Sequence, residues 1–366
     1  AATSKTLNPV ALRRWIEVLD ESLAEGVEHP LFGVMSLVGG LAKTADLETK
    51  EALSSKQLVS TELDEGARIN IMADVEQGSF DGWFFDGPAL EDAKTLPGEL
   101  VLGLSEVSPS LETEASIHSA RYSKRLQGSL RSPTFAILDR YLHVLASGES
   151  SRMNVVIDNI NLIRSPIYGG LKKRLNHTEK RWVIFDLKMW QGHNAYLELK
   201  DPRPGDLAGG GGYGDDGWFS VSRVVSSSEN KVKMGQSNSG ALVRLEGVNV
   251  ESVEEGLRTA QAETLSLLDR WGSSLVRGKA DDDDRGPELT RDELTWLAWL
   301  VEERLLAVEG STGKLAMALE SYSKASSSVR PPVLVPSMIE GSGVDHAVFV
   351  RGNPRALGDM ASRGEF

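Results

Sequence analysis

The amino-acid sequence predicts an α+β protein in which an antiparallel β-sandwich is inserted in a helical scaffold. The spacing of apolar residues changes from a helical period to every second position near Leu58, and it changes back near Glu251. Between these points, glycine turn signals separate many short apolar runs, with no long helix among them. Strands connected in this way form a sandwich or a barrel and not a parallel sheet.

The same changes of spacing divide the chain into four parts. Residues 1–59 are predicted as an N-terminal helical segment, 60–246 as the β-sandwich and 247–330 as a C-terminal helical segment. Residues 331–366 are predicted to be extended and to lead into a further domain downstream. We expect the two helical parts to pack on each other.

Composition and charge argue against several functions. The net charge of −13, with no basic stripe, argues against a nucleic-acid partner. No apolar run approaches the roughly 18 residues that a membrane-spanning helix needs. Cysteine is absent, so this chain has no disulfide, no thiol nucleophile, no zinc–thiolate site and no covalently attached c-type haem. The start lacks the apolar core of a signal peptide, and the abrupt end suggests a segment of a longer protein.

The N-terminal part contains the first predicted helix. Asn8-Pro9 is a cap followed by a first-turn proline. The apolar residues of one helical face follow: Leu12, Trp15, Ile16, Leu19 and Leu23. Residues 31–38 form a second apolar segment, and a third short helix is predicted at about 46–56. We interpret these helices as packing elements.

The predicted β-domain is organised around residues 126–137, which predict a strand, a turn and a strand. Gly128 permits a kink, and Pro133 suits an edge strand or the first residue of a strand. Residues 69–75 alternate as a half-buried strand should. The other predicted strands are residues 99–104, 141–146, 154–160, 182–187, 195–199 and 218–225. The glycine-rich stretch 209–214 lacks the Lys-Ser/Thr of a phosphate loop and is predicted to be a surface excursion.

One tetrapeptide, Asp-Gly-Trp-Phe, occurs twice, at residues 81–84 and 216–219. The first and last strands of a jelly roll commonly lie close together, so carboxylates near the two copies are candidate calcium ligands, since calcium prefers oxygen. These carboxylates are Asp81, Asp86, Asp215 and Asp216. The alternative is that the aspartates are turn residues and that the tryptophans belong to the core.

The C-terminal part returns to the helical period. Apolar spacing predicts a helix between residues 251 and 275. The acidic run 281–284 is interpreted as a solvated linker. Thr290 and Glu293 form a capping box at the start of the next helix. A last helix is predicted at residues 314–324.

Several short motifs occur together along the chain. They are Gly82-Trp83-Phe84 with residues 86–89, then residues 126–135, 156–159, 167–171, 182–186, 192–198 and 349–354, and Gly358. With these motifs the chain resembles the middle region of the large planctomycete-type cytochrome c domain proteins, which carry a haem domain upstream. The resemblance implies neighbouring domains in the same parent chain as partners. It also implies a periplasmic, secreted or cell-surface location.

The β-region is similar, more distantly, to the jelly-roll modules appended to levanase-type glycosidases. The shared pattern lies at residues 130–135, 182–186, 192–195 and 217–218. This resemblance implies a jelly-roll, galactose-binding-like fold. Phe219 stands where those modules have a histidine.

The favoured function is a non-catalytic carbohydrate-binding module with a polysaccharide as partner. Aromatic faces stack on sugar rings, while carboxylates and amides bond to hydroxyl groups. The candidate aromatic residues are Trp83, Tyr168, Trp190, Tyr213 and Trp218, of which Trp190 and Tyr213 are expected to be exposed. The candidate polar partners are Arg131, Asp158, Asn159 and His193. For each aromatic residue the alternative is packing in the core.

Two other functions remain open at this point. One is a structural domain that positions neighbouring haem and catalytic domains without binding a small ligand. The other is a glycoside hydrolase that uses Asp186 and Glu198 as its two carboxylates. The six histidines show no metal-binding spacing and are interpreted as structural or exposed.

Overall fold

The structure is a computed structural model that describes most of the predicted sandwich and parts of the helical segments. The described residues are 13–18, 69–102, 104, 109–160, 169–201, 217–231, 253–277, 289–303, 305, 313–330, 342–343, 345–353 and 356–362. They belong to two compact units. One unit contains the described residues within 1–63, 96–114 and 233–323, and the other contains those within 64–95, 115–232 and 324–366. The first is here called the helical unit and the second the sandwich unit.

Fourteen strands and three labelled helices are described. The strands are β1 (Ile69–Asp74), β2 (Phe84–Asp86), β3 (Lys94–Thr95), β4 (Leu100–Val101), β5 (Ser110–Leu111), β6 (Ser116–His118), β7 (Ser129–Arg131), β8 (Phe135–Ala136), β9 (Tyr141–Ile157), β10 (Lys172–Asp186), β11 (Asn194–Lys200), β12 (Trp218–Ser227), β13 (His346–Phe349) and β14 (Leu357–Ala361). The helices are α1 (Val253–Arg277), α2 (Arg291–Glu302) and α3 (Gly313–Ser328). Residues 13–18 are also helical.

Ten strands form one antiparallel sheet that curls around a single core. The strand order is β2-β7-β11-β9-β12-β6-β3, with β1 paired to β12, β10 to β9 and β8 to β11. The first half of β9 pairs with β12 and its second half with β11, while β10 follows β9 along both halves. The two long strands therefore run through both halves of the sandwich. The predicted fold class, α+β with an antiparallel jelly-roll sandwich, is confirmed.

The sandwich core consists of alternate side chains from these strands. Its largest fully buried members include Phe185, Phe219, Leu130, Leu197 and Leu199. Within β9 the core-facing residues are Leu142, Val144 and Ala146, followed by Met153, Val155 and Ile157. The change from even to odd positions shows that the alternation is interrupted between them.

Gly148 and Ser150 lie at this interruption of β9. Ser150 has a φ of +50°. A Cβ on Gly148 would lie 2.6 Å from the carbonyl oxygen of Trp218 and 2.7 Å from Ser151 Oγ, so only glycine fits there. The sequence predicts two strands, 141–146 and 154–160, because Gly148 resembles a turn residue. The structure instead joins them as one strand of 17 residues.

The helical unit has its own core. Val18 packs there with Leu267, Leu294, Leu297 and other apolar residues of α1 and α2. The predicted capping box is present, since Thr290 Oγ1 accepts from the Glu293 amide while the Glu293 side chain accepts from the Thr290 amide. None of the helices that the structure describes combines the length and apolarity needed to cross a bilayer.

For two segments the structure departs from the prediction or adds to it. Residues 96–114, predicted as part of the sandwich, belong to the helical unit, where the indole of Trp271 donates a 2.8 Å hydrogen bond to the Gly98 carbonyl. Within 331–366, strands β13 and β14 form a two-stranded antiparallel hairpin. Its exposed apolar side chains are Val348, Val350, Leu357 and Met360. The linker 281–284 and the glycine-rich stretch 209–214 lie outside the described residues.

His143, near the start of β9, is expected to make the stability of the sandwich depend on pH. The side chain is fully buried, its Nε2 lies 3.0 Å from the Glu229 carbonyl oxygen, and its Nδ1 has no hydrogen-bond partner in the described structure. Burial lowers the pKa of His143, and the bond to Glu229 offsets only part of this effect. Burial also lowers the pKa of His177. At acidic pH the unfolded chain therefore binds protons at these two histidines that the folded chain does not bind.

We expect the free energy of unfolding to be greatest above the unfolded histidine pKa, about 6.5, and to decrease as the pH falls below it. Each histidine contributes a slope of at most about 1.4 kcal/mol per pH unit. Urea titrations between pH 7.5 and 5.5 measure this slope. The variant His143→Gln, whose amide can still donate to Glu229, should have a smaller slope. An unchanged slope in this variant would show that His143 does not titrate on unfolding.

Candidate functional site

A row of polar and aromatic residues crosses five neighbouring strands on the sheet face opposite the core. The cross-strand partners in this row are Phe84, Arg131, Glu198, Asn154 and Lys172, on β2, β7, β11, β9 and β10 respectively. Directly opposed residues point to the same face of a sheet. The side chains of this row therefore lie side by side.

A second row runs parallel to the first, two residues along each strand. Its members are Asp86, Ser129, Lys200, Arg152 and Arg174. Tyr196, two residues before Glu198 in β11, lies on the same face. The two rows together with Tyr196 are here called the polar face. The intervening residues of the same strands, such as Leu130, Leu199 and Met153, belong to the core, so the alternation of each strand keeps the polar face in place.

Arg131 lies at the centre of the aromatic part of the polar face. Its guanidinium carbon is 5.1 Å from the ring centroid of Phe84 and 5.1 Å from that of Tyr196. The two rings hold the planar guanidinium by cation–π contact. Phe84 and Arg131 are both partly exposed. The Arg131 side chain is therefore partly exposed, although its Nη2 is buried.

Glu198 and Asn154 form the floor of the polar face. Glu198 is 3% exposed and Asn154 is fully buried. The Asn154 amide donates a 3.1 Å hydrogen bond to Glu198 Oε2, and Lys200 Nζ lies 2.6 Å from Glu198 Oε1. Both Glu198 oxygens are thus bonded to neighbouring side chains, which fix the carboxylate in place.

Two buried polar atoms of the polar face lack a hydrogen-bond partner in the part of the chain that the structure describes. They are Arg131 Nη2, a donor, and Asn154 Oδ1, an acceptor. A buried polar atom without a partner destabilises the fold by about 1–3 kcal/mol. Both atoms belong to residues that flank Glu198 in the sheet.

Three of the predicted polar partners meet at the turn that follows β9. Asp158 and Asn159 have φ values of +47° and +59°, a conformation that Asp and Asn tolerate better than most residues. His193 Nδ1 lies 2.6 Å from Asp158 Oδ2, and the Asn194 amide donates a 3.1 Å bond to Asp158 Oδ1. Asp158 is four residues beyond Asn154, about 13 Å along the strand. This turn therefore lies at one end of the polar face.

The structure buries the predicted aromatic residues that it describes. The prediction that Trp190 is exposed is wrong, because its side chain is 2% exposed and packs in the core beside His193. Trp83 and Trp218 are 8% and 3% exposed. Trp83 packs on Phe80, and Trp218 stacks on His118. These three tryptophans are core residues, as the alternative interpretation holds, and they are not available to stack on a ligand.

Tyr168 and Tyr213 lie outside the described residues, so their predicted role stays a prediction. Two aromatic residues of the polar face were not among the predicted site residues: Phe84, which is partly exposed, and Tyr196, which is 9% exposed. The sequence signal for this face is the alternation of polar and apolar residues in two strands. In β11, Tyr196, Glu198 and Lys200 alternate with Leu197 and Leu199. In β9, Arg152 and Asn154 alternate with Met153 and Val155. Polar residues repeated at every second position of a core strand define an opposite face with its own chemistry.

The predicted calcium site requires the two copies of Asp-Gly-Trp-Phe to lie close together. The first strand, β1, does pair with the last, β12. The copy at 81–84 leads into β2. Three strands, β7, β11 and β9, lie between β2 and β12 in the sheet. Asp81 and Asp86 are exposed, and Asp215 and Asp216 lie outside the described residues. Among the residues the structure describes, no three His, Asp or Glu side chains are grouped to hold an ion, and calcium stays a prediction.

The two carboxylates of the hydrolase alternative do not form a pair. Asp186 is the cross-strand partner of Tyr141 and Glu198 that of Asn154, at positions 13 residues apart in β9, which is about 40 Å of strand. Arg140 bonds to Asp186 and lowers the pKa of this carboxyl, whereas a general acid needs a raised pKa. Asp186 and Glu198 therefore give no support to a glycosidase mechanism.

Comparisons with known proteins returned structural similarity only. No family model matches the chain, and no curated protein matches it. Among solved structures, carbohydrate binding module family 29 shares 13% identity over 44% of this chain and 89% of that chain, with a TM-score of 0.23. The K2 cleaved adhesin domain of Lys-gingipain shares 10% identity over 43% and 99%, with a TM-score of 0.26. The glycoside hydrolase domain of Endo-D from Streptococcus pneumoniae R6 shares 10% identity over 41% and 22%, with a TM-score of 0.23.

Proposed function

We propose that the polar face of the sandwich binds a polysaccharide without cleaving it. The observation that carries this proposal is the set of Phe84, Arg131 and Tyr196 beside Asn154 and Glu198 on one sheet face. Phe84, which is partly exposed, supplies apolar surface for the face of a sugar ring, while the partly exposed Arg131 supplies hydrogen-bond donors for hydroxyl groups. Both kinds of group are present within a few strand spacings, which matches the size of one or a few sugar units.

The first experiment is a binding screen of the chain against soluble polysaccharides by affinity gel electrophoresis, followed by calorimetric titration of those that retard it. We expect weak binding, because a hydrogen bond exchanged with water contributes only about 0.5–1.5 kcal/mol net. A chain that no polysaccharide retards would contradict the proposal. Release of reducing ends from a retarding polysaccharide would contradict the non-catalytic part of it.

The second experiment compares Phe84→Ala with Phe85→Ala. The two residues are adjacent in β2 but point to opposite faces of the sheet, and Phe85 is 44% exposed. Loss of a stacking ring weakens binding by about 0.5–1.5 kcal/mol, so Phe84→Ala should weaken binding roughly two- to tenfold. Phe85→Ala should bind as the unmodified chain does. Equal losses in the two variants would place the ligand elsewhere.

One observation favours a second candidate, a domain that assembles with neighbouring domains. The hairpin of β13 and β14 exposes Val348, Val350, Leu357 and Met360, and exposed apolar surface is typical of protein contacts. The resemblance to planctomycete-type cytochrome c domain proteins supports such neighbours, as well as a periplasmic, secreted or cell-surface location. Failure of the glycan screen would make this the leading function.

A further inference from the structure

A second group of surface residues lies at the opposite end of the strand order from β2, away from the polar face. Strand β3 is the last strand in this order and pairs with β6. Asp92 lies in the turn before β3, while Arg121 and Tyr122 follow β6. The pairing of β3 with β6 therefore brings these three side chains together, and they are here called the tyrosine cluster.

The three side chains of the tyrosine cluster bond to one another. The Tyr122 hydroxyl donates a 2.6 Å hydrogen bond to Asp92 Oδ2. Arg121 Nη1 lies 3.0 Å from Asp92 Oδ1 and donates a 2.6 Å hydrogen bond to the Asp92 carbonyl oxygen. The guanidinium carbon of Arg121 is also 5.2 Å from the centroid of the Tyr122 ring. These contacts hold the ring in one position, which reduces the entropy that a ligand loses by ordering it.

The support of the tyrosine cluster is buried, whereas its ring and its carboxylate are exposed. Ala120 is fully buried, Ser119 is 1% exposed, and the Ser119 amide donates a 2.9 Å hydrogen bond to the Phe219 carbonyl oxygen. By contrast, Tyr122 is 45% exposed and the Asp92 side chain is 74% exposed. A ligand in solvent can therefore reach both groups, and a buried, hydrogen-bonded loop holds them in place.

The charge and the size of the tyrosine cluster favour one class of ligand. Arg121 compensates the charge of Asp92, which favours a neutral ligand over an ion, and each carboxylate oxygen has capacity for a further hydrogen bond. The hydrogen bond from Tyr122 and the charge of Arg121 lower the pKa of Asp92, so this side chain remains an acceptor at neutral pH. Tyr122 is the only exposed large apolar side chain in residues 91–95 and 119–126, whereas a protein interface buries about 800 Å² per partner. One ring beside one carboxylate instead matches the face and the hydroxyl groups of a single sugar unit.

We infer that the tyrosine cluster is a second binding site, for a neutral sugar, in which Tyr122 stacks on the sugar ring and Asp92 accepts hydrogen bonds from its hydroxyl groups. Arg121 positions both side chains. The site shares no residue with the polar face, so this inference does not depend on the proposed function.

The test is calorimetric titration of the chain with neutral hexasaccharides, namely cellohexaose, xylohexaose, mannohexaose and laminarihexaose. We expect at least one of them to bind, and we expect Tyr122→Ala to weaken this binding about fivefold. Tyr122→Phe keeps the ring and should lose less. Asp92→Asn should weaken binding about threefold, because the amide keeps only one acceptor oxygen. Phe85→Ala removes a ring of nearly equal exposure, 44%, and should bind as the unmodified chain does.

Titration of Phe84→Ala with the same hexasaccharides separates this site from the polar face, and far-UV circular dichroism checks that each variant is folded. If Tyr122→Ala binds every hexasaccharide as the unmodified chain does, the inference is overturned, while a loss in Phe84→Ala still supports the proposed function. If Tyr122→Ala loses affinity and Phe84→Ala does not, the inference stands and the polar face is not the site. Equal losses in Tyr122→Ala and Phe85→Ala, or no binding of any hexasaccharide, would also overturn the inference.

Discussion

Phe185→Ala should reduce the free energy of unfolding of the sandwich by about 3–5 kcal/mol, the usual cost of removing a large aromatic side chain from a packed core. Phe185 is fully buried in β10 and belongs to the sandwich core. The substitution removes apolar contacts and leaves a cavity that the long, paired strands β9 and β10 cannot easily close. Urea unfolding followed by far-UV circular dichroism measures the change.

Phe85→Ala is the matched control for this experiment. Phe85 is 44% exposed at the edge strand β2, so its removal should lower stability by about 1 kcal/mol or less. The same variant is the binding control for the polar face and needs to be folded for that purpose. Similar losses in Phe185→Ala and Phe85→Ala would contradict the position of the core described above.

Asp74→Ala should destabilise the sandwich by about 3 kcal/mol, because it removes the buried partner of a close ion pair and leaves the largely buried Arg223 with only the more distant Glu76. Asp74 is 1% exposed, and its Oδ2 accepts a 2.5 Å hydrogen bond from Arg223 Nε across the pair of β1 and β12. Glu76 Oε2, 3.9 Å from Arg223, is too distant to replace that bond.

The comparison for Asp74→Ala is Asp186→Ala. Asp186 also pairs with an arginine, Arg140, but both side chains are at least 40% exposed, and exposed pairs contribute about 0–1 kcal/mol. The double variant Asp74→Ala with Arg223→Ala should be more stable than the sum of the two single losses predicts. Additive losses, or equal effects of Asp74→Ala and Asp186→Ala, would show that the buried pair is not coupled as described.

The fold class was predictable from sequence because it depends on the period of apolar residues and on the frequency of turn signals. The start of β12, the extent of α1 and the cap of α2 follow the patterns closely. The joining of two predicted strands into β9 was not predictable. Position 148 requires glycine because a side chain there would collide with Trp218 and Ser151. This cause is a tertiary contact, which the local sequence does not reveal.

The candidate site was predictable only in part. Arg131, Asp158, Asn159 and His193 were selected as polar partners, and the structure places the last three together and Arg131 in the polar face. The aromatic residues were selected by type, and type alone does not say which face an aromatic residue takes. Trp190 lies at the end of a one-turn 3-10 helix, where no alternation orients it, whereas Tyr196 lies in a strand whose alternation determines its face.

The pairing of β1 with β12 has a consequence for synthesis of the protein. Strand β12 ends at residue 227, yet it is the partner of both β1 and the first half of β9. During synthesis on the ribosome, β1 and one edge of the first half of β9 therefore stay unpaired until β12 has been made, more than 60 residues after the end of β9, although β10 can already pair with the other edge of β9. Contacts of such long sequence separation form slowly, and incomplete sheets aggregate readily. Chain segments that end before residue 227 should therefore accumulate as insoluble material, and the sandwich closes only when its last strand emerges.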